Sequence, residues 1–186
     1  MDQREFVNSF TEKGVEAYNK KEPFESYIYL WLAFLQSSAP EKIERIKSDR
    51  NDIVKPWNKK NYKEVYELLK KNQDLRENFR WLSKRYDGSI LNPDGQDERD
   101  LNRMKLLSSS IRGSYDILHR PLDVSYALLN LCLSVRNNLF HGGKKFYDKN
   151  DYELLNNLCP ILFSLIKINY PSLKINWKIF DLTKST

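Results

Sequence analysis

The chain has 186 residues, 40% of them apolar and 13% aromatic, which is enough for one domain with one core and too rich in rings for a disordered protein. Its longest strongly apolar run, 27–35, is too short to cross a bilayer, and the first residues lack the apolar core of a signal peptide, so a cytoplasmic protein is expected. The formal net charge of +6 is concentrated: between 41 and 85 there are 14 Lys and Arg against 8 Asp and Glu, leaving the rest of the chain nearly neutral.

Read in chain order, the pattern is helical almost throughout. Residues 5–18 form a first amphipathic helix with Phe6, Phe10 and Val15 among its apolar positions. Residues 24–36 are apolar on nearly every face, which places that helix at the centre of the core or in a dimer interface. Its aromatics Tyr27, Tyr29, Trp31 and Phe34 fall in an apolar run, so they read as core rather than as a base-stacking platform. Pro40 fits the first turn of a following helix carrying Ile43, Ile46, Ile53 and Val54. Two further amphipathic stretches cover 62–69 and 75–86.

Residues 87–99 hold Gly88, Pro93 and Gly95 and read as a surface loop, followed by a shorter segment at 101–111. Pro121 then introduces the strongest helix, with Leu122, Val124, Ala127, Leu128, Leu131, Cys132, Val135 and Leu139 on a broad apolar face, ended by Gly142-Gly143. Asn150-Asp151-Tyr152-Glu153 has the form of a capping box opening a last helix through Ile168. Pro160 should kink or break that helix, and Pro171 ends it. Residues 175–182 read as a short strand or an ordered tail. The expectation is an all-α bundle of five to seven helices forming a single domain over 1–186.

Cys132 and Cys159 each sit among leucines in predicted helices, which favours buried free thiols over a disulfide. Two Cys and two His at scattered positions do not make a zinc pattern, and no metal or cofactor is expected. The basic 41–85 stretch can attract nucleic acid by releasing counterions from phosphates, or it can be a solvated helical face in which both signs alternate. His119, just before Pro121, reads as structural or surface-exposed.

The stretch Arg136-Asn137-Asn138-Leu139-Phe140-His141-Gly142-Gly143-Lys144 carries the most chemical information. Arginine grips phosphate through a fixed fork of donors, and histidine moves protons near neutral pH. On an ideal helix Arg136 and His141 lie about 140° apart. A fraying Gly-Gly end and the length of the arginine would let both reach one groove. Asn137 shares the face of His141 and is placed to orient the imidazole or a ribose hydroxyl. A purely structural reading also exists, with His141 as a helix C-terminal cap favoured by the macrodipole.

This block resembles the Arg-x4–6-His motif of the HEPN superfamily, the higher eukaryotes and prokaryotes nucleotide-binding domains, many of whose members are metal-independent ribonucleases. The similarity extends to the apolar helix from Tyr126, to the later helix at 154–166 and to Tyr29-Leu30-Trp31-Leu32-Ala33-Phe34. The 41–111 region matches nothing in that family pattern and reads as an inserted or specificity region. Some superfamily members are silenced by modification of a tyrosine two residues after the motif histidine; here that position is Gly143.

The resemblance implies an up-and-down bundle that forms a homodimer, with two copies of the motif facing a shared cleft. Arg136 and His141 match the motif's catalytic pair, and Asn137 the polar residue that follows the arginine. The implied substrate is single-stranded RNA, with an antitoxin or activator as partner in a bacterial defence or toxin setting. Lys144 and Lys145 would grip flanking phosphates, or remain solvated loop lysines. A non-catalytic helical module binding RNA, a nucleotide or a protein partner is the alternative.

Overall fold

In a computed structural model, which describes residues 2–39, 47–85, 121–140, 149–175 and 177, helix α1 (Gln3–Asn19) opens on a reciprocal cap. The Asp2 carboxylate accepts from the Glu5 N–H at 2.7 Å and the Glu5 carboxylate accepts from the Asp2 N–H at 3.1 Å. The helix closes with the Glu22 N–H on the Ala17 carbonyl and the Lys21 N–H on that of Tyr18, Lys21 itself taking a left-handed φ of 63°. That turn delivers Pro23 to the first turn of α2 (Pro23–Ser38). The two helices approach closely at Gly14, where a Cβ would stand 2.7 Å from Leu30 Cγ.

The apolar run resolves into core. Tyr27, Leu30, Trp31 and Phe34 are all buried, and α2 lies between α1 on one side and α6 (Lys149–Asn169) on the other. Tyr29 is half-buried beside Phe10, with the Lys13 ammonium over both rings. α3 (Lys55–Lys71) packs against α5 (Pro121–Phe140), and α4 (Gln73–Arg85) packs against α6. The Trp57 indole N–H donates to Asn169 at 2.8 Å, and the Asn169 amide donates to Ser37 and Ser38, which ties α3, α6 and the end of α2 together. The described residues thus hold six α-helices and one π turn and no strand, an all-α fold. No helix among them is long and apolar enough to cross a membrane.

Two expectations change and a third is narrowed. Residues 49–54 are not part of an α-helix begun at Pro40: Ser48 is extended and caps the Asn51 N–H, and a π-helical turn (Asp49–Val54) follows, running straight into α3. Asp52 accepts from the N–H groups of Lys47 and Ser48, so Ser48 and Asp52 serve the start of a helix rather than its interior. Asn150 lies within α6 rather than ahead of it, the helix beginning at Lys149.

Of the kink or break expected at Pro160, the break is excluded: α6 continues through it to Asn169. Proline lacks the N–H that would serve the carbonyl four residues earlier, here that of Asn156. The Tyr18 hydroxyl, reaching across from α1, donates to that same carbonyl at 3.2 Å. Burial pushes the Tyr18 phenol well above its ordinary range, so it remains a neutral donor.

Cys132 and Cys159 are buried free thiols, as their leucine-rich settings imply, and burial pushes the Cys159 thiol up to about 12. After α6 the described residues, 170–175 and 177, are non-helical, and Trp177 packs on Tyr18 and Phe163 at 4.4 and 5.0 Å between centroids. The expected loop at 87–99, the segment 101–111, His119, and the rest of the 175–182 segment lie outside the described residues.

Candidate functional site

Helix α5 places the motif. Pro121 starts it without sacrificing a bond, since the first N–H of a helix has no intrahelical partner. Val124, Leu128, Leu131, Cys132 and Val135 sink into the core. Two buried polar contacts then fix where the helix sits. Near its start, the Ser125 hydroxyl donates to the Asn58 side-chain oxygen on α3. One turn before the motif, the Tyr27 hydroxyl donates to the Cys132 carbonyl. Burial drives the Tyr27 phenol far above its ordinary range, and the nearby Arg136 charge pulls the other way only in part. Tyr27 therefore acts as a fixed neutral donor from the core to the turn that carries Arg136.

Arg136 emerges half-buried in the last turns of this anchored helix. Its Nη1 donates to the Asn137 side-chain oxygen at 2.9 Å, and its Nη2 lies 3.4 Å from the Asp49 carboxylate on the π turn. Asn137 thus braces the guanidinium from the adjacent residue. The structure brings together two of the expected residues, Arg136 and Asn137; His141, Lys144 and Lys145 lie outside the described residues.

Asp49 is the site residue that sequence reading does not find. It lies 87 positions before Arg136, with no spacing rule linking the two. The only available signal is its acidic character within a basic stretch. The contact exists because α3 and the π turn run alongside α5: Asn58 meets Ser125 at one end, and Asp49 meets Arg136 at the other. With side chains 32% and 22% exposed, the pair is partly solvated, a setting in which an ion pair contributes only about 0.2–1 kcal/mol. A second anion can compete for such a guanidinium.

Among the described residues no group of three or more His, Cys, Asp or Glu is arranged to hold a metal ion. No family model, no curated protein and no solved structure matches this chain.

Proposed function

We propose that this chain is a HEPN-type, metal-independent endoribonuclease acting as a homodimer, with Arg136 and His141 of both copies facing one cleft. The observation that carries the reading is the held posture of Arg136. A core-anchored helix presents a guanidinium, braced by Asn137, at the point where the chain enters His141-Gly142-Gly143-Lys144.

The chemistry follows from the residue types. The ribose 2′-hydroxyl attacks the adjacent phosphorus, His141 takes and returns the proton, and the 5′-oxygen leaves. Arg136 stabilises the charge that grows on the phosphoryl oxygens. The products are a 2′,3′-cyclic phosphate and a 5′-hydroxyl. Lys144 and Lys145 hold flanking phosphates. A defence or toxin setting, with an antitoxin or activator as partner, follows by family resemblance alone.

The test is cleavage of labelled RNA by Arg136→Ala and His141→Ala, with the dimer measured by light scattering. Loss of cutting in both variants with the dimer retained supports the proposal; full activity in either one contradicts it. One observation favours the second reading, a non-catalytic RNA-binding module: Asp49 already occupies one edge of the guanidinium. Under that reading, RNA stays intact through long incubation while affinity for it persists.

A further inference from the structure

We propose that the lysine edge of α3 is a docking track for single-stranded RNA that leads into the Arg136 site. The proposal rests on the reading of Arg136 as a phosphodiester-binding residue. Lys55, Lys59, Lys63 and Lys70 are all exposed. At 3.6 residues per turn they fall within an arc of about 80° and span roughly 22 Å of the helix. Trp57, Asn61 and Val65 occupy the opposite side and are buried, and the buried Leu69 lies about 40° from Lys55 at the border of the arc. Tyr66 lies in the lysine arc but its ring is buried, so the track has a gap between Lys63 and Lys70.

Three features separate this edge from an ordinary solvated face. First, a helix surface built only for solubility alternates signs at four-residue spacing. Here Lys55, Lys59 and Lys63 stand one turn apart before the row meets an acid at Glu67, and the three like charges cost helix stability through repulsion. Second, none of the four pairs with a carboxylate among the described residues, whereas Lys71, on the far flank, takes Glu67 at 3.4 Å. Third, the helix that carries the edge adjoins the site. The π turn runs directly into α3, and its first residue, Asp49, touches Arg136.

Lys55, Lys59 and Lys63 rise by about 6 Å per step, a spacing suited to successive phosphates of an extended strand. The half-buried Tyr62 ring borders the arc, with the Lys63 ammonium 6.0 Å from its centre, and offers a base a face to stack on. Charge complementarity calls for an anionic partner, and the regular spacing with the bordering Tyr62 ring favours RNA over an acidic protein surface.

The experiment uses full-length protein in EDTA with fluorescein-labelled oligouridine of 20 nucleotides, titrated between 50 and 200 mM salt. In Lys55/Lys59/Lys63/Lys70→Gln, affinity at low salt should fall at least about tenfold. The slope of log affinity against log salt should shrink by about 2–3, since each single-strand phosphate contact contributes roughly 0.7. KM should rise with kcat unchanged, because the track lysines do not touch the reacting atoms. The same four positions changed to Arg should bind as wild type, and Lys60/Lys71→Gln, on the far flank, should shift the slope by less than half a unit. Any of three results overturns the track: an unchanged slope in the fourfold Gln variant, an equal loss in Lys60/Lys71→Gln, or competition by polyglutamate as effective as by RNA. Loss of slope without cleavage by any form leaves the track standing and removes the nuclease. Cleavage that depends on Arg136 with an unchanged slope does the reverse.

Discussion

Pro160 in α6 and Arg136 in α5 are both residues that a packed helix accommodates badly, the first for want of an N–H and the second for its charge. A neighbouring helix compensates Pro160. Its orphaned carbonyl receives the Tyr18 hydroxyl in a part-buried bond, and the proline itself is buried. Arg136 is treated differently: Asn137 and Asp49 hold it at a half-buried edge, where water and other anions can compete. One helix repairs its irregularity; the other keeps a charge in reach of solvent and fixes its position. The first pattern is what stability requires and the second is what a binding site requires.

If that contrast is right, substitutions in the two regions should separate activity from stability. Arg136→Ala should lower RNA cleavage by about 10²–10³-fold while changing the free energy of urea unfolding by no more than about 1 kcal/mol. A large loss of stability would make Arg136 a structural residue and collapse the comparison.

Gly14→Ala should do the opposite. Its Cβ must displace Leu30, so unfolding should become easier by about 1–3 kcal/mol, with kcat unaffected in the folded fraction.

Tyr18→Phe sharpens the account of Pro160. Leaving the Asn156 carbonyl without its donor should cost about 1–2 kcal/mol. In a Pro160→Ala background, where a backbone N–H is restored, the same change should cost less than half as much. Equal costs in both backgrounds would mean the hydroxyl does not compensate the proline.

The smallest effect is expected from Asp49→Asn. Removing a carboxylate beside Nη2 should tighten RNA binding about two- to fivefold, the equivalent of a partly solvated ion pair. Weaker binding would make Asp49 a support for Arg136 rather than a competitor of phosphate.

The same contrast explains what could be read from sequence. Apolar spacing located α1, α2, α5 and α6 because burial of a helical face follows local periodicity, and it identified Tyr27, Trp31 and Phe34 as core. It placed Pro160 inside α6 but could not decide between a kink and a break, because the compensating hydroxyl comes from Tyr18, far away in sequence, and no local rule anticipates such a partner. It missed the π turn because Ser48 and Asp52 act through side-chain bonds to backbone N–H groups that hydrophobic periodicity does not register. At the site, residue type and position drew attention to Arg136 and Asn137, but Asn137 as a partner of His141, whereas its side-chain oxygen accepts from Arg136. Asp49 was not legible, since its contact depends on how α3 lies along α5.

The central claim is tested most directly by incubating the protein in EDTA with labelled single-stranded RNA and a DNA strand of matched sequence, with His141→Ala alongside. The account predicts cutting of RNA alone, ends carrying 2′,3′-cyclic phosphate, and no cutting by the variant. Intact RNA in the presence of tight binding, or cutting of both strands alike, would contradict it.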